Sequence, residues 1–224
     1  MKTFIDITEI ANWQGKFTGV PRVMHELASR YAEQENTRLV VWDGLSGSFS
    51  QVDLRKPQDH APNDVPTIQN ISKYKTYVKR IANSNAAGRR ILRHIKKYRR
   101  INQVPAASNV GSVNIRRGDK LFVLADWHGS DGAFIDRLLS YKSAGVTLIQ
   151  VSYDLLPMVT PQYSGHSTDT FTNYFKTVYP QCDLILSISE HTKKDIIANL
   201  KADKLTIPPV RVFRLGDDFE HSTA

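Results

Sequence analysis

The chain has 224 residues, 41% of them hydrophobic, and carries 30 Lys and Arg against 22 Asp and Glu for a net charge of +8. That length allows one large domain or two small ones with a packed core, and no apolar run approaches the ~20 residues of a membrane-spanning helix, so a soluble globular protein is the expectation. Cys182 is the only cysteine, which excludes an internal disulfide, and Met1-Lys2-Thr3 leads into a strand instead of a signal-peptide core; the expected location is a reducing cytosol.

Thr3–Thr8 reads as a strand that runs into Trp13-Gln14-Gly15-Lys16-Phe17-Thr18-Gly19. Val20, Val23, Met24, Leu27, Ala28 and Tyr31 then keep the spacing of one helical face over Val20–Gln34, and Pro21 suits the first turn. Unpaired amides at such a helix start, with the positive end of the dipole and Arg22 beside them, favour a phosphate or another anion. A tight strand-to-helix turn that needs glycine for backbone reasons alone is the equal alternative. Gly15 and Gly19 do not form G-x-G-x-x-G, so the dinucleotide fingerprint is absent.

Arg38–Trp42 is the second predicted strand, and Leu45 to Asn70, rich in Asp, Pro, Gln and Ser, reads as a long irregular connection. From Val65 to Gly118 there is no acidic residue but 13 Lys and Arg, leaving 17 basic against 22 acidic residues elsewhere. The basic character therefore belongs to one segment. Within it a helix is predicted over Lys73–Ile101, broken near Asn83–Gly88. Ile91, Leu92, Ile95 and Tyr98 line one face, and Arg89, Arg90, Arg93, Lys96, Lys97, Arg99 and Arg100 cover the rest. Such a helix could lie on an anionic membrane surface, dock its apolar side on its own domain, or bind nucleic acid, the last being the weakest of the three readings.

Further strands are predicted at Lys120–Ala125, Thr147–Tyr153, Asp183–Ile188 and Val210–Leu215, and helices at Gly132–Lys142, Thr170–Tyr179 and Glu190–Leu200. The alternation predicts an α/β fold, Rossmann-like, with a mostly parallel sheet and helices on both faces. Ligands of open α/β sheets collect beyond the carboxyl ends of the strands. There Asp126 and His128 could orient a hydroxyl-rich ligand with Trp127 as an apolar platform, or simply cap the next helix. Asp154 could act as a base or hydroxyl acceptor, or tie down the turn ending at Pro157. Ser189 before Glu190 reads first as a helix cap. The histidines show no metal-ligand spacing and no D-x-D occurs, so no metal and no cofactor are expected.

Five segments, Phe4-Ile5-Asp6-Ile7-Thr8, Gly15-Lys16-Phe17-Thr18-Gly19-Val20-Pro21-Arg22-Val23, Tyr153-Asp154-Leu155-Leu156-Pro157, Ser187-Ile188-Ser189-Glu190-His191-Thr192 and Val212-Phe213-Arg214-Leu215-Gly216-Asp217-Asp218, occur in this order. Together they resemble the N-terminal domain of a bacterial GT-B glycosyltransferase of the large retaining class, family 4 (group 1 type), over nearly the whole chain. The resemblance implies a hexosyltransferase-type enzyme of surface polysaccharide or lipopolysaccharide synthesis. Residues 1–216 would be its acceptor-side domain, with a basic helical insertion at about 65–118, and residues 217–224 the start of an interdomain linker. The donor domain, whose glutamates stand in an E-x7-E pair in the family, is absent from this chain, so the isolated chain is expected to be inactive and to need that domain in cis or as a separate chain.

By the same resemblance the loop at Gly15 and Gly19, with Arg22, would face the diphosphate of a nucleotide-sugar. Tyr153 and Asp154 would fall at the catalytic position where many relatives have His-Asp; Asp126, Trp127 and His128, from their own residue types at the strand end, are expected to border the saccharide or lipid-linked acceptor. The expected enzyme is cytoplasmic and peripheral to the inner face of the membrane. A non-catalytic half-enzyme or binding module, and a nucleic-acid-binding α/β protein, are the alternative readings.

Overall fold

The computed structural model describes residues 1–11, 13, 19–44, 46–53, 111–125, 132–160, 162 and 167–213. The chain divides into two units, one formed by Met1–Leu54 with Ser108–Ala224 and the other by Arg55–Ala107. The sheet and its helices belong to the first; the predicted helix Lys73–Ile101 falls in the second, outside the described residues.

Seven strands form one sheet: β1 (Thr3–Asp6), β2 (Thr37–Asp43), β3 (Ser48–Val52), β4 (Lys120–Val123), β5 (Thr147–Ser152), β6 (Leu184–Ser187) and β7 (Val210–Val212). Their order is β3-β2-β1-β4-β5-β6-β7, and every neighbouring pair is parallel except the β2/β3 hairpin. Among the described residues the helices are α1 (Thr8–Ala11), α2 (Val20–Ala32), α3 (Gly132–Ser143), α4 (Leu156–Val159), α5 (Ser167–Val178) and α6 (Glu190–Ala202), with a 3-10 turn at Tyr179–Gln181. The fold is thus α/β and Rossmann-like, as the alternation of predicted elements requires.

Period-two alternation in the strands sorts the apolar side chains onto two faces. Phe4, Trp42, Leu121, Val123, Leu148 and Ile185 pack with Phe134 and Leu138 of α3, Phe171 and Phe175 of α5, and Ile196 and Leu200 of α6. Phe134 is the hub, with ring centroids 5.5 Å from Trp42, 6.0 Å from Phe49 and 6.4 Å from Tyr174. Truncating so buried a ring to alanine costs about 3–5 kcal/mol. On the opposite face Ile5, Phe122, Val151 and Leu186 meet Leu27 and Tyr31 of α2 around an apolar cavity of about 100 Å³. Right-handed crossovers explain the division. The chain moves one way from β1 to β2 and the other way from β4 through β7, so α2 lands on one face and α3, α5 and α6 on the other.

One expectation is overturned. The start of the supposedly irregular stretch from Leu45 is strand β3, paired antiparallel with β2 in the register Trp42↔Phe49 and Leu39↔Val52. Phe49 and Val52 are buried while Ser48, Ser50 and Gln51 are not; the polar majority of the segment conceals an edge strand that needs only two inward side chains. The first strand is also shorter than expected. It ends at Asp6, and Thr8 opens α1, because Thr8 bonds back to the Asp6 side chain instead of continuing the ladder.

Candidate functional site

Reversal of chain direction between β1 and β4 makes this pair the topological switch point, and in such sheets the crevice lies beyond the carboxyl ends of the two strands. The sheet register places Ile5 opposite Phe122 and Asp6 opposite Val123 at this edge. Because β1, β4, β5 and β6 run parallel, the chain leaves all four of them on one rim of the sheet.

The β1 exit is fixed by buried polar groups. Asp6, 1% exposed, accepts the Thr8 amide at 3.0 Å through Oδ1 and also the Thr8 hydroxyl. Thr8 Oγ1 in turn accepts the Trp42 amide of β2 at 2.8 Å. An Asx-type turn thus closes the strand and ties it to its neighbour. Sequence pattern does not single out Asp6, although a carboxylate ending an apolar strand at a switch point is a usable signal.

Past α1, helix α2 starts at Gly19, whose φ of 58° and ψ of −132° lie where only glycine is at ease. The N-cap Gly19 has no side chain to cap this helix and Pro21 lacks an N–H, and Arg22 in the first turn is exposed. Of the residues expected at an anion-favouring start, Gly19 and Arg22 lie at the N-terminal end of α2. Gly15 lies outside the described residues.

At the β4 exit the main chain is held through Ala125, whose carbonyl accepts the Gln150 side-chain amide at 2.9 Å. Asp126, Trp127 and His128 come next in the chain and are outside the described residues. So are Arg89, Arg90, Arg93, Lys96, Lys97, Arg99 and Arg100 of the basic segment.

The β5 exit carries Tyr153 and Asp154. Tyr153 is 2% exposed, its side chain interior and its carbonyl accepting the Thr192 hydroxyl at 3.1 Å. Asp154, half-buried, accepts the Leu156 amide at 2.9 Å through Oδ1 and so initiates α4. The carboxylate has a turn-holding role by geometry, and Oδ1 is the oxygen this bond engages. At the β6 exit Ser189 Oγ accepts the Thr192 amide at 3.0 Å, the cap that the sequence pattern predicts for α6.

Thr8, Gln150 and Thr192 thus each bond the main chain of a neighbouring strand or its exit from a buried position. Their common effect is a rim whose strand ends are fixed before any ligand arrives. In the sheet β4 lies between β1, which α2 with Gly19 and Arg22 follows in the chain, and β5, which Asp154 follows. Among the described residues no group of three or more His, Cys, Asp or Glu could hold a metal ion. No helix among them is long and apolar enough to cross a membrane. No family model, no curated protein and no solved structure matches this chain.

Proposed function

We propose that this chain is the acceptor-side half of a retaining glycosyltransferase that moves a sugar from a nucleotide-sugar to a saccharide or lipid-linked acceptor in surface polysaccharide synthesis. The observation that supports the proposal is the switch point between β1 and β4, with the glycine-led start of α2 and Arg22 in its first turn following β1 in the chain. Amide donors and a guanidinium are the groups that hold a leaving diphosphate, whose negative charge grows as the glycosidic bond breaks.

In this reading the diphosphate meets Gly19 and Arg22, and the carboxylate of Asp154 with the β4 exit residues Asp126, Trp127 and His128 borders the sugars. The acceptor hydroxyl bonds to the anomeric carbon on the face from which the diphosphate departs, and its proton passes to the departing phosphate oxygen. A protein nucleophile is not required. The basic segment from Arg89 to Arg100 holds the enzyme to the anionic inner face of the membrane. The donor half, in cis or as a separate chain, completes the cleft.

Turnover tests the assignment. The isolated 224 residues, offered a panel of nucleotide-sugars and a saccharide acceptor, should neither transfer nor hydrolyse sugar, and adding the donor-domain chain or restoring it in cis should establish transfer. Steady catalysis by this chain alone would overturn its assignment as a half-enzyme.

A further inference from the structure

The sheet residues that line the apolar cavity beside α2 all stand at one level of the sheet. Ile5, Phe122, Val151 and Leu186 are the last residues but one of β1, β4, β5 and β6, while Leu124 and Phe213 directly follow β4 and β7. The register sets Ile5 opposite Phe122 and Val151 opposite Leu186. The cavity therefore lies at the carboxyl ends of these strands and spans the switch point between β1 and β4, the level at which open α/β sheets take their ligands. Leu27 and Tyr31 of α2 complete the lining.

The two faces of the sheet are covered unequally there. Toward α3, α5 and α6, Leu121, Val123, Leu148 and Ile185 are 0–1% exposed, whereas Phe122, Leu186 and Phe213 toward α2 stay half-buried. The cavity is partly open, and Tyr31, stacked on Phe122, is 41% exposed. Because every lining side chain is aliphatic or aromatic, water would lack the roughly two to four polar partners it needs, and a sugar hydroxyl or phosphate oxygen would lose hydrogen bonds on entering. The chemistry of the walls selects an apolar guest. An apolar cavity of about 150 Å³ holds one benzene ring, so the volume of about 100 Å³ here suits a few carbons of an open chain better than a ring. Segments that leave the same strand ends carry further exposed apolar side chains, Trp13 after α1 and Leu156 and Val159 of α4.

We propose that this cavity takes the end of an aliphatic chain, and that the chain belongs to the lipid of the acceptor. The second part rests on the sugar-transfer reading, which it narrows to a lipid-linked acceptor in place of a free saccharide. The first part does not, and it can be tested with no sugar present.

Methyl NMR of the full 224-residue chain, labelled at Leu and Val, reads the cavity directly, with the Val151 and Leu186 lines assigned by Val151→Ile and Leu186→Met. Titration with hexanol, a straight chain, or with prenol, a branched isoprenoid unit, should shift both lines saturably and leave Leu148 on the other face in place. The tighter of the two alcohols tells an acyl from a prenyl lipid. Leu27→Phe puts a ring into the space from α2 and should weaken the apparent affinity about tenfold, the loss expected when about two methylene groups no longer fit. If that variant does not fold, Val151→Leu fills the same space from β5. Lines that do not move with either alcohol, or that move alike in the parent and the filled variant, overturn the proposal and leave a packing void. In the complete enzyme Leu27→Phe should raise KM for a lipid-linked acceptor and leave KM for the same saccharide without its chain unchanged; equal effects on both acceptors overturn the assignment to the acceptor lipid. Saturable binding by a protein that transfers no sugar even with its donor half keeps the chain site and removes only the glycosyltransferase reading.

Discussion

The carboxylate of Asp154 accepts the backbone N–H of Leu156 at 2.9 Å, so the acid at the end of β5 also starts α4. A carboxamide oxygen can accept the same bond, which separates the turn role from the role of the charge. Asp154→Asn should leave the stability read from the urea midpoint within about 0.5 kcal/mol of the parent. In the complete enzyme it should lower kcat by roughly a hundredfold, the scale of one charge-assisted contact made mainly in the transition state. Activity retained within about threefold, under 1 kcal/mol, would reduce Asp154 to a turn-forming residue.

Gly19 is held at a φ of 58°, and a Cβ built there meets nothing within 4 Å among the described residues. The cost of a side chain is therefore backbone strain and not collision. Gly19→Ala should destabilise the chain by about 1–3 kcal/mol in urea unfolding. It should also weaken nucleotide-sugar binding in the complete enzyme, because the strained loop must re-form the start of α2. A loss of stability below about 0.5 kcal/mol would show that the turn relaxes easily, and the case for a fixed anion-facing start would fail with it.

Burial pushes the Cys182 thiol from an ordinary 9.0 up to about 12, with the neighbouring Asp183 adding to the rise and Lys142 opposing it. The folded state thus keeps a proton that the unfolded state loses first. Stability from this group is intact below about pH 9 and falls as pH rises from there toward about 12, by about 1.4 kcal/mol per unit. Urea unfolding between about pH 8 and about pH 10.5 should show a smaller loss for Cys182→Ala than for the parent, whatever the absolute stability of the variant. Parallel curves would mean that the thiol is reached by water in the folded protein.

The basic segment should bring the chain to vesicles containing anionic lipid at low salt and release it as screening increases, each cation near the surface contributing on the order of 1 kcal/mol. Reversing the charge of Arg93, Lys96, Lys97 and Arg100 should abolish co-sedimentation. Unchanged binding by that variant would remove the membrane role, and salt-sensitive retention of RNA or DNA instead of vesicles would redirect the segment to nucleic acid.

Local sequence pattern is enough to determine that this is an α/β chain, where six of the seven strands lie, and that α2 begins at Gly19-Val20-Pro21, because periodicity and turn chemistry are written in neighbouring residues. Strand β3 escapes that reading: Ser48-Phe49-Ser50-Gln51-Val52 has too little apolar content to announce itself, and it is a strand only because β2 offers an edge to pair with. Ser189 is legible as a cap from its place just before Glu190, whereas Asp6 and Gln150 are not legible as the groups that bond at two strand exits. The bonds that give them this role, from Thr8 to Trp42 and from Gln150 to Tyr174 and Ala125, span 24 to 34 residues of chain. Strand order, and with it the switch point between β1 and β4, is likewise decided only by tertiary structure. It depends on which face each crossover helix can bury its apolar side against, a property of the whole sheet that no window of sequence contains.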